Sequence, residues 1–110
     1  MDVIQREKAR AILKHYGEKP QRRQLVEECS ELIQAVCKYD RQNDSEKFDS
    51  EKMQNIEREI AGEIADVLIM IEQLKISMFC GDGVRMIDSY INYKLNRQLE
   101  RIKKEESNRG

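Results

Sequence analysis

The stretch that decides the fold runs from Glu59 to Ile76: Glu-Ile-Ala-Gly-Glu-Ile-Ala-Asp-Val-Leu-Ile-Met-Ile-Glu-Gln-Leu-Lys-Ile. Its apolar residues Ile60, Ile64, Val67, Leu68, Ile71 and Leu74 recur at three- and four-residue steps, the period of a helix with one buried face. At about 100° per residue, Glu59, Glu63 and Asp66 project within a sector about 60° wide that overlaps this apolar stripe. An ionised carboxylate taken out of water costs several kcal/mol unless a positive charge meets it, and three together also repel one another. Either the helix is misread or a cation sits at that face.

A second helix over Gln24 to Lys38 supplies the other half of such a site. Leu25, Cys29, Leu32, Ile33 and Val36 form its stripe, with Glu28 and Glu31 one turn apart at the edge and small Ala35 following on the same flank. Carboxylate pairs on two packed helices, Glu28 with Glu31 and Glu63 with Asp66, converge as an all-oxygen cage of the kind that hard divalent ions such as Mg²⁺ or Mn²⁺ prefer.

The chain has 110 residues, the size of one domain. A composition of 37% charged and 39% hydrophobic residues, with mean hydropathy −0.79, leaves little apolar material for a thick core, so subunits are expected to share one. A formal net charge of −1 with scattered cations excludes the basic footprint of a nucleic-acid binder. No apolar run approaches the roughly 20 residues that span a bilayer, and the N-terminus lacks the apolar core of a signal peptide, so a cytoplasmic protein is expected. Three cysteines without C-x-x-C spacing argue against a disulfide framework or a zinc site, and Cys29 reads as a small core filler.

Elsewhere a first helix is expected over Val3 to Tyr16, with Ile4, Ala11, Ile12 and Tyr16 facing inward and a turn over Gly17 to Pro20. Pro20 opens the second helix, which should end near Tyr39. A mobile polar loop over Asp40 to Ser50, anchored by Phe48, precedes a helix from Ser50 or Glu51 to about Phe79. Cys80-Gly81-Asp82-Gly83 then breaks the chain, with Gly81 as a left-handed cap and Asp82 capping a fourth helix from Val84. Val84, Ile87, Ile91, Leu95, Leu99 and Ile102 make its stripe, and residues 105–110 should fray. No stretch reads as a strand. The class is all-α, an antiparallel bundle of about four helices in a single domain, 1–110, completed by oligomerisation.

Not every acid belongs to the site: Glu57, Glu72 and Glu100 read as parts of a solvated face, and Glu27 stands open between that and a helper role. His15 reads as a surface or capping residue, and a lone histidine argues against a di-iron bundle built on two E-x-x-H motifs. The scattered aromatics identify no base-recognition platform.

The run Gln24-Leu25-Val26-Glu27-Glu28-Cys29-Ser30-Glu31-Leu32, followed by Glu63-Ile64-Ala65-Asp66-Val67, resembles the MazG-type all-α nucleoside triphosphate pyrophosphohydrolases, which are marked by E-x-x-E then E-x-x-D. Tyr93-Lys94-Leu95-Asn96-Arg97 on the last helix also fits that layout. The spacing of 31 residues between Glu31 and Glu63 is at the long end for such proteins, and the excess falls in the polar loop, where insertions are cheap.

The resemblance implies Mg²⁺-dependent hydrolysis of a nucleoside triphosphate to the monophosphate and pyrophosphate, in nucleotide-pool cleansing. It further implies Glu28, Glu31, Glu63 and Asp66 as metal ligands, with Glu27 and Glu59 both standing as candidates to orient or deprotonate the attacking water. Lys94 matches the lysine usual in the family, and Arg97 and Arg101 stand beside it as candidates for the phosphates. Asn92 and Asn96 are candidates for the sugar or a metal-bound water, and homodimers or homotetramers are implied. Two alternatives remain: a phosphoribosyl-ATP pyrophosphohydrolase, which shares similar carboxylate helices, and a non-catalytic helical adaptor.

Overall fold

The computed structural model describes residues 1–79 and 82–109, and among them every regular element is a helix. The elements are α1 (Val3–Tyr16), α2 (Glu18–Asn43), α3 (Ser50–Met78) and α4 (Asp82–Arg109). They fall into two compact units, Met1–Ser77 and Met78–Gly110.

Local chemistry sets the boundaries in the first unit. Asp2 caps α1 by accepting from the Gln5 backbone N–H at 2.7 Å, while the Gln5 side chain accepts from the Asp2 N–H at 3.0 Å, a reciprocal capping box. The expected turn over Gly17 to Pro20 shrinks to one residue. Gly17 ends α1 and starts α2, with φ 95° and ψ 159°, so α2 begins at Glu18 and Pro20 sits inside its first turn, where a missing N–H costs nothing. At its other end α2 runs past Tyr39 to Asn43, which shortens the expected loop. The cap of α3 is Asp49: its carboxylate accepts the backbone N–H groups of Glu51 and Lys52 at 3.1 and 3.2 Å.

Cross-contacts fix how α2 runs against α3. Gln21 meets Gln73 at 2.8 Å and Lys38 meets Glu59 at 3.3 Å, so numbers rise on α2 as they fall on α3, and the two helices are antiparallel. The Arg6 Nε to Glu72 Oε1 pair at 3.3 Å ties α1 to α3, and Ala9 and Ile12 line a groove with Ala65 and Leu68. Glu72, expected on a solvated face, is thereby a link between helices.

The core follows a narrower line than the apolar stripe suggests. On α3 the buried or half-buried residues include Met53, Ile56, Ile60, Glu63, Val67, Met70 and Leu74, alternating steps of three and four, with Ile56 only 2% exposed. Ile64, Leu68 and Ile71, expected inside, are exposed. On α1 the register differs from expectation: Ala9 and Leu13 are buried, while Ile4, Ala11, Ile12 and Tyr16 are exposed. Ile12 instead lines an open apolar groove with Met1, Leu68 and Ile69. A helix covered on one side only needs a narrow stripe, and the flanking apolar residues then stay outside it.

The second unit is a single helix with its N-terminal approach. Its start at Asp82 precedes the expected Val84 and makes Asp82 the first helical residue; the expected cap at Gly81 lies outside the described residues. At the far end the helix continues to Arg109 where fraying was expected from residue 105. No helix among the described residues is long and apolar enough to cross a membrane.

Candidate metal centre

The heptad-like line on α3 explains the site. Glu63 occupies a core position between Ile60 and Val67, and although the residue is only half-buried its Oε2 is withdrawn from solvent. On α2, Glu28 lies seven residues from both Gln21 and Ala35, and therefore on the face that meets α3. Glu31 sits one turn further along. Carboxylate oxygens of Glu28, Glu31 and Glu63, three of the four acids expected to converge, all lie within 4.8 Å of one another.

Hydrogen bonding leaves this group incomplete. Gln24 Nε2 donates to Glu28 Oε1 at 2.9 Å, which holds that side chain along the helix. Glu28 Oε2 and Glu63 Oε2 are buried without any hydrogen-bond partner. Buried polar atoms in folded proteins are nearly always satisfied, so these two carboxylate oxygens leave room for a partner such as a cation or a water. The electrostatics agree in sign. The charge on Glu28, then that on Glu63, lifts the Glu31 carboxyl above its ordinary range, with smaller contributions from lost hydration and the charge on Glu27. Glu31 itself is exposed, so its neighbours' charge rather than burial carries the shift.

Other expected site residues are placed differently. Asp66, one turn beyond Glu63, is exposed and stands outside the 4.8 Å group. Glu59 does not face the cluster unpaired: both its oxygens receive Lys38 Nζ at 3.3 Å. Glu27 is exposed. Lys94, Arg97, Arg101, Asn92 and Asn96 belong to the second unit and are exposed there, with the Arg97 guanidinium 5.5 Å from the centre of the Tyr93 ring.

Two contributors were missed. Gln24 and Lys38 stand four residues before Glu28 and seven after Glu31, so helical periodicity alone puts them on the same side of α2. Together with Arg41, Gln34, Ala35, Glu59 and the cluster's own Glu31 and Glu63, Lys38 lines a groove of about 420 Å³ that opens beside the three carboxylates. An acidic, all-oxygen donor set with unsatisfied buried oxygens fits a hard divalent cation, and Mg²⁺ or Mn²⁺ suits it better than zinc. In comparisons with protein-family models, with curated proteins and with solved structures, nothing matched this chain.

Proposed function

We propose that the chain is a Mg²⁺-dependent nucleoside triphosphate pyrophosphohydrolase of the MazG-like kind, hydrolysing a (d)NTP to the (d)NMP and pyrophosphate. One observation carries the reading: carboxylates of Glu28, Glu31 and Glu63, from two antiparallel helices, converge with two buried oxygens that nothing satisfies. A triphosphate bears about four negative charges at neutral pH, so carboxylates of this kind approach it only through divalent cations. A bound Mg²⁺ supplies polarisation of the phosphoryl oxygens and a more acidic water.

The chain's own residues hold the site and move the proton. Gln24 orients Glu28, Glu63 is fixed by its place in the seam, and Glu31 contributes from the open side. Asp66 completes the E-x-x-D half of the motif from the rim. Glu27 and Glu59 remain the candidates for taking the proton of the attacking water, Glu59 once it is released from Lys38. Phosphate contacts by Lys94, Arg97 and Arg101, sugar or water contacts by Asn92 and Asn96, a homodimeric or homotetrameric state and a cytoplasmic role in cleansing the nucleotide pool rest on the resemblance.

A panel of nucleoside triphosphates with Mg²⁺, read by pyrophosphate release, tests the proposal. The expected result is turnover of at least one nucleotide and its loss in Glu63→Ala, together with a Mg²⁺-dependent rise in Tm that only the wild type shows. At 100 times its Kd a bound ion adds about 2.7 kcal/mol. No turnover on any nucleotide and no Mg²⁺ effect on Tm overturn the reading.

A further inference from the structure

The groove beside the carboxylate cluster carries two cations that the E-x-x-E and E-x-x-D motifs do not contain. Lys38 and Arg41 lie one turn apart on α2 and line it together with Glu31, Glu59 and Glu63. The charge pattern changes along the groove. Carboxylates dominate at the Glu31 and Glu63 end, and Lys38 and Arg41 supply positive charge further along α2, about 10 and 15 Å from Glu31 at 1.5 Å per residue. A lysine side chain spans about half of that first interval, which brings its ammonium within reach of a phosphate bridging from the cluster.

We propose that Lys38 and Arg41 bind the phosphates of the substrate that project away from the metal-holding carboxylates, and that the Lys38–Glu59 ion pair is the substrate-free form of this arrangement. The inference rests on the pyrophosphohydrolase reading. At 3.3 Å from both Glu59 oxygens, and with the two side chains 46% and 51% exposed, the pair is a solvent-screened surface contact that contributes little stability. A polyphosphate carries more negative charge than a single carboxylate, so Lys38 exchanges one anion for a more highly charged one at small cost. The exchange leaves Glu59 unpaired beside the cluster, where an additional carboxylate can accept a proton. Arg41 adds a planar donor able to hold two phosphate oxygens at once.

Mg²⁺ alone and Mg²⁺ with inorganic pyrophosphate, titrated by calorimetry into the full-length chain, separate the possibilities. Lys38→Gln and Arg41→Gln should each weaken pyrophosphate binding in saturating Mg²⁺ by at least about tenfold. Lys38→Arg should retain most of it, and affinity for Mg²⁺ alone should stay equal or increase, since a cation has left an acidic groove. A purely structural clamp between α2 and α3 behaves differently, because its loss lowers Tm and Mg²⁺ affinity together. Wild-type binding of Mg²⁺ and pyrophosphate with unchanged affinity in both glutamine variants overturns the inference and leaves the enzyme reading standing. Absence of Mg²⁺ binding by the wild type overturns both.

Discussion

Glu31 shows what the site asks of a single residue. Its raised folded-state value means that ionisation is harder in the folded chain than in the unfolded one, chiefly because Glu28 and then Glu63 are negative beside it. Below the unfolded carboxylate value both states are protonated and the effect vanishes. As pH rises through that value and the raised one, the folded chain loses stability relative to the unfolded chain. In EDTA, Glu31→Gln should therefore melt higher than the wild type at about pH 7.5 and at the same temperature near pH 4. Adding Mg²⁺ at the higher pH should invert the order, because the ion stabilises only the chain that keeps its ligand. A variant that melts below the wild type in EDTA at both pH values contradicts the repulsion. The convergence of Glu28, Glu31 and Glu63 was legible from the sequence, since i,i+3 spacing and an overlapping apolar stripe determine which way they face. Asp66 was less so: its direction is the same within a few tens of degrees, but at the edge of a helix face that difference separates seam from solvent. The partner of Glu59 was not legible, because Lys38 is 21 residues away and their meeting depends on the register of two helices.

At the scale of elements, helix existence follows from periodicity and breakers, whereas which apolar residues end up covered does not. Val3 to Tyr16 was delimited as observed because Asp2 and Gly17 act locally at its two ends. The inward face of that helix was misassigned by register: the covered line is Ala9 and Leu13, four residues apart on one face, whereas Ile4, Ala11, Ile12 and Tyr16 lie off it. The one-residue joint between α1 and α2 carries a sharper expectation. Gly17 combines φ 95° with an extended ψ, a region open almost only to glycine. Gly17→Ala should cost about 1–3 kcal/mol, although the added methyl meets nothing nearer than the Pro20 ring at 3.7 Å. A denaturation midpoint unchanged from wild type rules out that backbone strain. Gly83 is a different case: a Cβ there falls 2.5 Å from Phe79 Cβ, so the obstacle is space and not φ.

For the whole molecule, the decisive comparison is between apolar residues covered and uncovered. Among the described residues seven hydrophobic side chains are buried, Ala9, Leu13, Ala35, Met53, Ile56, Val67 and Met70, and two of these are alanines. Exposed large hydrophobics are far more numerous and include Ile33, Ile64, Leu68 and Ile69 in the first unit. In the second unit, Val84, Ile91, Leu95, Leu99 and Ile102 repeat along α4, and a lone helix has nothing inside its own unit to cover such a stripe. Scattered surface apolar residues are ordinary, but rows of them at helical spacing on several elements mark an unfinished core. Association of subunits is the expected remedy, and light scattering at micromolar concentration should give the mass of a dimer or a tetramer. Because subunits that share a core are stabilised by mass action, Tm should fall on dilution, and Leu95→Glu with Leu99→Glu should shift the mass toward the monomer and lower Tm in the same step. A monomeric mass with a Tm independent of concentration contradicts this, and it removes the argument that the exposed rows are interfaces while leaving the carboxylate cluster, which lies wholly within one unit, untouched.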